Sequence, residues 1–168
     1  MFIKSAPACC FYLAEHIACH FAALEIHYGV FYHINARGND PLIRFCEIKT
    51  TGWSRLDEHS FAFSGGGENI LGWAVNNDWK FLSGNGSEAV YYRIVGANAV
   101  LQEDVLAEGG KITVSENITK TQLDSLPKDM QIKISATAVQ YNGFSEGSEA
   151  GYTEAQRALA AWEAVKNK

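Results

Sequence analysis

From Gly65 onward the chain alternates apolar and polar positions in short runs, each closed by a turn signal. Residues 70–75 form a brief apolar run that ends at Asn76–Asn77, a pair suited to a turn. Residues 79–82 and 88–95 flank Ser83, Gly84, Asn85, Gly86 and Ser87, which tolerate tight-turn conformations, so a hairpin is expected there. Both faces of 88–95 are largely apolar, which predicts a strand covered on two sides. Further short apolar runs fall at 99–101 and 105–107, and residues 111–115 alternate as a half-buried strand. Thr119 with Gln122 makes a capping box for a short helix over 120–126, which Pro127 stops. Residues 131–141 form the best-patterned strand, with Ile132, Ile134, Ala136 and Ala138 on one face and Lys133, Ser135, Thr137 and Val139 on the other. A second capping box, Thr153 with Gln156, opens a closing helix whose expected apolar stripe is Ala155, Ala158, Leu159, Trp162 and Val165. Several short strands with turns between them, closed by an amphipathic helix, predict an antiparallel β-sandwich.

The first third has a different texture. All four cysteines and all five histidines lie before residue 60, and the glycine run at 65–67 suits a break. This divides the chain into an N-terminal segment, 1–64, and a patterned domain, 65–168. Residues 8–34 are rich in apolar side chains, but Glu15, His16, His20, Glu25 and His27 interrupt them. No uncharged run there reaches the roughly 18–20 residues of a membrane span, and no clear secretory signal is present. Phe11, Ala14, Ala18, Phe21 and Ala22 recur at helical spacing. The abrupt change of composition also fits a segment read in another frame, or from a wrong start.

Charge then narrows the partners. A net charge of -5, without a basic run, argues against nucleic acid and against an anionic membrane surface. His16, Cys19 and His20 stand at i, i+3 and i+4, so a helix would offer three zinc ligands, with Cys9 or Cys10 as a fourth. The spacing matches no standard zinc module, and ordinary semi-buried side chains explain the same residues. Glu103, Asp104, Glu108 and Glu116 are candidate calcium ligands, with solvated loop acids as the plainer reading. Glu15 precedes His16 instead of following it, so no HExxH element exists, and neither GxSxG nor a phosphate-cradling loop is found. No catalytic residue and no required cofactor are therefore expected. Trp73, Trp79, Tyr91, Tyr92 and Tyr141 could supply a glycan- or peptide-stacking surface, or else core packing.

Certain motifs carry a family likeness. Val90–Tyr91–Tyr92–Arg93, Leu106–Ala107–Glu108–Gly109–Gly110, Ile112 through Thr119, Ala136–Thr137–Ala138–Val139–Gln140, and Ala160–Ala161–Trp162 together resemble bacterial proteins exported with a SipW-type signal peptide, the TasA/camelysin group. The resemblance covers residues 65–168. It implies a jelly-roll-like β-sandwich at the cell surface or in the biofilm matrix. It also implies self-association, or association with related matrix subunits, into fibres by strand exchange; camelysin-like members instead imply a cell-surface metallopeptidase. The family's signal and first strands are replaced here by residues 1–64, so the resemblance implies an incomplete sandwich with an open edge. An open edge is a template for an incoming strand. The expected assembly strand is Lys133, Ile134, Ser135, Ala136, Thr137, Ala138, Val139, Gln140 and Tyr141, which is β-prone, carries one charge, and lacks proline and glycine.

Overall fold

The computed structural model describes residues 26–27, 41–52, 60–65, 68–97, 105–110, 113–126, 131–142 and 152–166. Its strands are β1 (Ile26–His27), β2 (Leu42–Thr51), β3 (Ser60–Gly65), β4 (Glu68–Ala74), β5 (Lys80–Gly84), β6 (Glu88–Val95), β7 (Thr113–Val114) and β8 (Gln131–Gln140). Two helices follow the same numbering, α1 (Lys120–Asp124) and α2 (Glu154–Val165). One sheet runs β1-β8-β2-β6-β5 and the other β3-β4-β7. Every pairing is antiparallel except the two-residue contact of β1 with β8. The fold is mainly β, with antiparallel sheets and a closing helix, as the strand pattern predicts.

The larger sheet is covered on both faces, and strand alternation sorts its side chains between two cores. Cys46 and Ile48 of β2, Ala89 and Tyr91 of β6, and Ile132 and Ile134 of β8 face the smaller sheet, where they meet Ile70, Leu71 and Trp73 of β4. The intervening residues Ile43, Phe45, Val90 and Tyr92 face α2 and meet Ala158, Ala161 and Trp162. The Phe45 and Trp162 rings pack tilted, with centroids 5.3 Å apart. Each large side chain removed from water in this way contributes about 1.5–3 kcal/mol.

The expected break at Gly65 is corrected by this arrangement. It falls inside the β3–β4 hairpin, where Ser60 pairs with Ala74 and Gly65 with Glu68. β2, well inside the N-terminal segment, lies in the middle of the larger sheet between β6 and β8. β2 and β3 are therefore part of the two sheets and supply strands that the likeness had left missing. β2 gives little alternation in sequence because both of its faces are buried.

Local signals explain the other elements. Asn76 closes the turn after β4: its Oδ1 accepts from Asp78 N at 3.0 Å and its carbonyl from Trp79 N at 2.9 Å. Asn85 Oδ1 accepts from Ser87 N at 2.8 Å and Glu88 N at 3.0 Å, which fixes the β5–β6 hairpin. Both capping boxes form. Gln122 N donates to Thr119 Oγ1 at 3.3 Å, and Gln156 N to Thr153 Oγ1 at 3.3 Å. The buried stripe of α2 differs from the expected one: Ala158, Ala161 and Trp162 face the sheet, whereas Leu159 is 43% exposed. Small alanines on the buried side let the helix approach closely enough for Trp162 to reach Phe45, which leaves Leu159 on the outer side.

The start of α2 is tied to the sheet by charge. Lys80 Nζ donates to Glu154 Oε1 at 2.7 Å, and the Arg157 guanidinium lies 4.4 Å from the centre of the Tyr141 ring. Burial, and then the Glu154 carboxylate, push the Tyr92 phenol above its ordinary 10.0, with Lys80 working the other way. The hydrogen bond to Glu154 likewise raises Lys80. Both groups are raised on folding, so their stabilisation is complete below about pH 10 and is lost as pH rises through the folded values. Trp162→Ala should destabilise the fold by about 3–5 kcal/mol in denaturant titration, and Leu159→Ala by less than about 0.5 kcal/mol. In an alkaline titration followed by circular dichroism, Tyr92→Phe should move the loss of structure to higher pH.

Candidate functional site

The residues expected to assemble form β8 almost entirely. β2 pairs with β8 along its whole length, from Leu42 opposite Gln140 to Thr51 opposite Gln131. On its other side, among the described residues, β8 meets only Ile26 opposite Ile132 and His27 opposite Lys133. Burial follows that difference. Ile132 is 0% and Ile134 5% exposed, whereas residues 135–139 are half-buried and Gln140 is exposed. Across the same stretch, β2 buries Leu42, Arg44 and Cys46. Residues 135–139 of β8 are thus less covered than the β2 residues opposite them.

Among the described residues, the outer side of 134–140 has no strand beside it, and its composition carries none of the usual edge guards. Ile, Ser, Ala, Thr, Ala, Val and Gln bring no charge, proline or glycine. Ser135 Oγ donates to Glu47 Oε2 at 3.1 Å, so its hydroxyl is held toward β2. Tyr141 N donates to Pro41 O at 2.8 Å, also on the β2 side. The opposite edge of the sheet is different. β5 is short, carries Lys80, and shifts register against β6 between Phe81 and Ser83. Bulges and charges of this kind blunt an edge against added strands. Gly84 sits close against β6 in the hairpin, where a Cβ would lie 2.5 Å from the Glu88 carbonyl oxygen.

The other candidate sites fare differently. His16, Cys19 and His20 lie outside the described residues, as do Glu103 and Asp104. Glu108 and Glu116 are exposed, and among the described residues no three His, Cys, Asp or Glu side chains converge on a metal position. The aromatic set is core: Trp73, Trp79, Tyr91 and Tyr92 are 1–5% exposed, and Tyr141 is half-buried under Arg157. A stacking surface is therefore not built from these residues. Among the described residues no helix is long and apolar enough to cross a membrane.

One charged feature went unread in the sequence. Arg44 of β2, 5% exposed, stands directly opposite Arg93 of β6. Like charges so placed repel, and Asp78 Oδ2 accepts from the Arg93 guanidinium at 2.9 Å. The signal was the arginine inside each apolar run, visible only once the two strands are in register.

The two hairpin glycines provide a test of this close approach. Gly84→Ala should cost about 1–3 kcal/mol by forcing the Glu88 carbonyl aside, while Gly86→Ala, with nothing within 4 Å of an added Cβ, should change stability by less than about 0.5 kcal/mol; chemical denaturation of both variants measures the difference. No family model, no curated protein and no solved structure matches this chain.

Proposed function

We propose that this chain is a noncatalytic structural protein, exported to the cell surface or extracellular matrix, that assembles by adding a strand along the outer side of β8. The observation that carries the reading is the contrast between the two edges of the larger sheet. β5 is blunted by a charge and a register shift, whereas residues 134–140 present an uncharged, regular backbone whose outer side has no partner among the described residues. Proteins that stay single guard such an edge, and main-chain hydrogen bonds to it give affinity without any dedicated pocket. Export rests on the likeness of residues 65–168 to the TasA/camelysin group.

Electron microscopy of the concentrated protein should show regular assemblies, and Ala138→Pro, which removes a main-chain donor from β8, should abolish them while leaving a folded monomer. Immunogold labelling of the source cells should place the protein outside the cell envelope. A strictly monomeric protein at every concentration, or label confined to the cell interior, would overturn the reading.

A further inference from the structure

We infer that Asn85 and Gly86 form a self-modifying site, at which the Gly86 main-chain nitrogen attacks the Asn85 side-chain amide and converts it to an acid. The inference is separate from assembly along β8 and stands whether or not copies associate. The turn between β5 and β6 holds Asn85, Gly86 and Ser87, all exposed. Asn85 Oδ1 accepts from Ser87 N at 2.8 Å, from Ser87 Oγ at 3.1 Å and from Glu88 N at 3.0 Å. Three donors converging on one carbonyl oxygen form an oxyanion hole, because they stabilise an oxygen that is gaining charge more than a neutral amide. The bond from Ser87 N also makes an Asx turn, which curls the side chain over the following peptide and brings Cγ toward Gly86 N. Asn85 N donates to Glu88 O at 2.8 Å, so the main chain that carries this side chain is itself held.

Gly86 supplies the nucleophile. It has no side chain to shield its nitrogen, and an added Cβ there would meet nothing within 4 Å, so the approach to Asn85 is open. Glycine also lets the attacking peptide rotate into line. The nitrogen loses its proton to water and bonds to Asn85 Cγ, and the carbonyl electron pair moves onto Oδ1. That pair returns as the bond to Nδ2 breaks, and Nδ2 takes a proton from water and leaves as ammonia. Water then opens the five-membered imide at either carbonyl. One opening leaves an ordinary aspartyl residue, and the other leaves an isoaspartyl linkage with an extra main-chain carbon. The second product disturbs a hairpin with little slack, since Gly84 already lies close against Glu88. It would loosen β5, whose Lys80 holds Glu154 at the start of α2, so the site acts as a slow timer on this side of the sheet.

The test compares the folded protein with the same full chain in denaturant, both incubated at neutral and mildly alkaline pH. Peptide mapping by mass spectrometry follows loss of the amide at residue 85, and labelling with an isoaspartyl methyltransferase counts the rearranged linkage. The folded protein should lose this amide faster than the denatured chain, and faster as pH rises, because the attacking nitrogen must first give up its proton. Ser87→Ala removes one of the three donors and should slow the folded reaction by about threefold or more, less than in a buried oxyanion hole because this turn is exposed. The same variant should leave the denatured rate unchanged, whereas Gly86→Ala should slow both. If folding protects Asn85, or if Ser87→Ala reacts as fast as wild type when folded, the turn is not an oxyanion hole and the inference fails.

Discussion

The two-sided burial of β2 organises the molecule. Leu42, Ile43, Phe45, Cys46 and Ile48 are almost fully removed from water within one strand, so one set of consecutive residues feeds both cores. Their alternation requires a layer above and a layer below. The smaller sheet covers Cys46 and Ile48, and α2 covers Ile43 and Phe45. Displacing either layer would expose half of β2 to water, so helix and smaller sheet stabilise each other through a strand that both of them touch. The same centrality makes Arg44 expensive, because a guanidinium on this strand is buried beside Arg93. The ion pair between Asp78 and Arg93 offsets part of that repulsion at the turn leading into β5.

What the sequence made legible follows from the same geometry. β8, with a half-exposed outer side, alternates clearly and was readable as a strand with its faces correctly sorted. The hairpin around Asn85 and both capping boxes were readable because their signals are local, each confined to a few neighbouring residues. β2 was not readable: burial on both faces erases alternation, and its partners lie about 45 and 90 residues away in sequence. Gly65, which looked like the start of a domain boundary, pairs with Glu68 across β3 and β4, since glycine marks tight turns and linkers alike. In α2 Ala158, Trp162 and Val165 were read on the correct side, while Ala161 belongs to the buried stripe and Leu159 does not. A stripe of alanines leaves several faces equally apolar, and only docking against Phe45 decides which of them is buried.

The candidate site was partly legible for a related reason. A strand rich in β-branched residues, without proline or glycine, is recognisable anywhere, but whether it lies at an edge depends on its neighbours. β8 is fully paired on one side and barely paired, among the described residues, on the other. Sequence alone leaves both positions open to such a strand. The aromatic residues show the converse: Trp73, Trp79, Tyr91 and Tyr92 have the composition of a binding surface and the placement of a core.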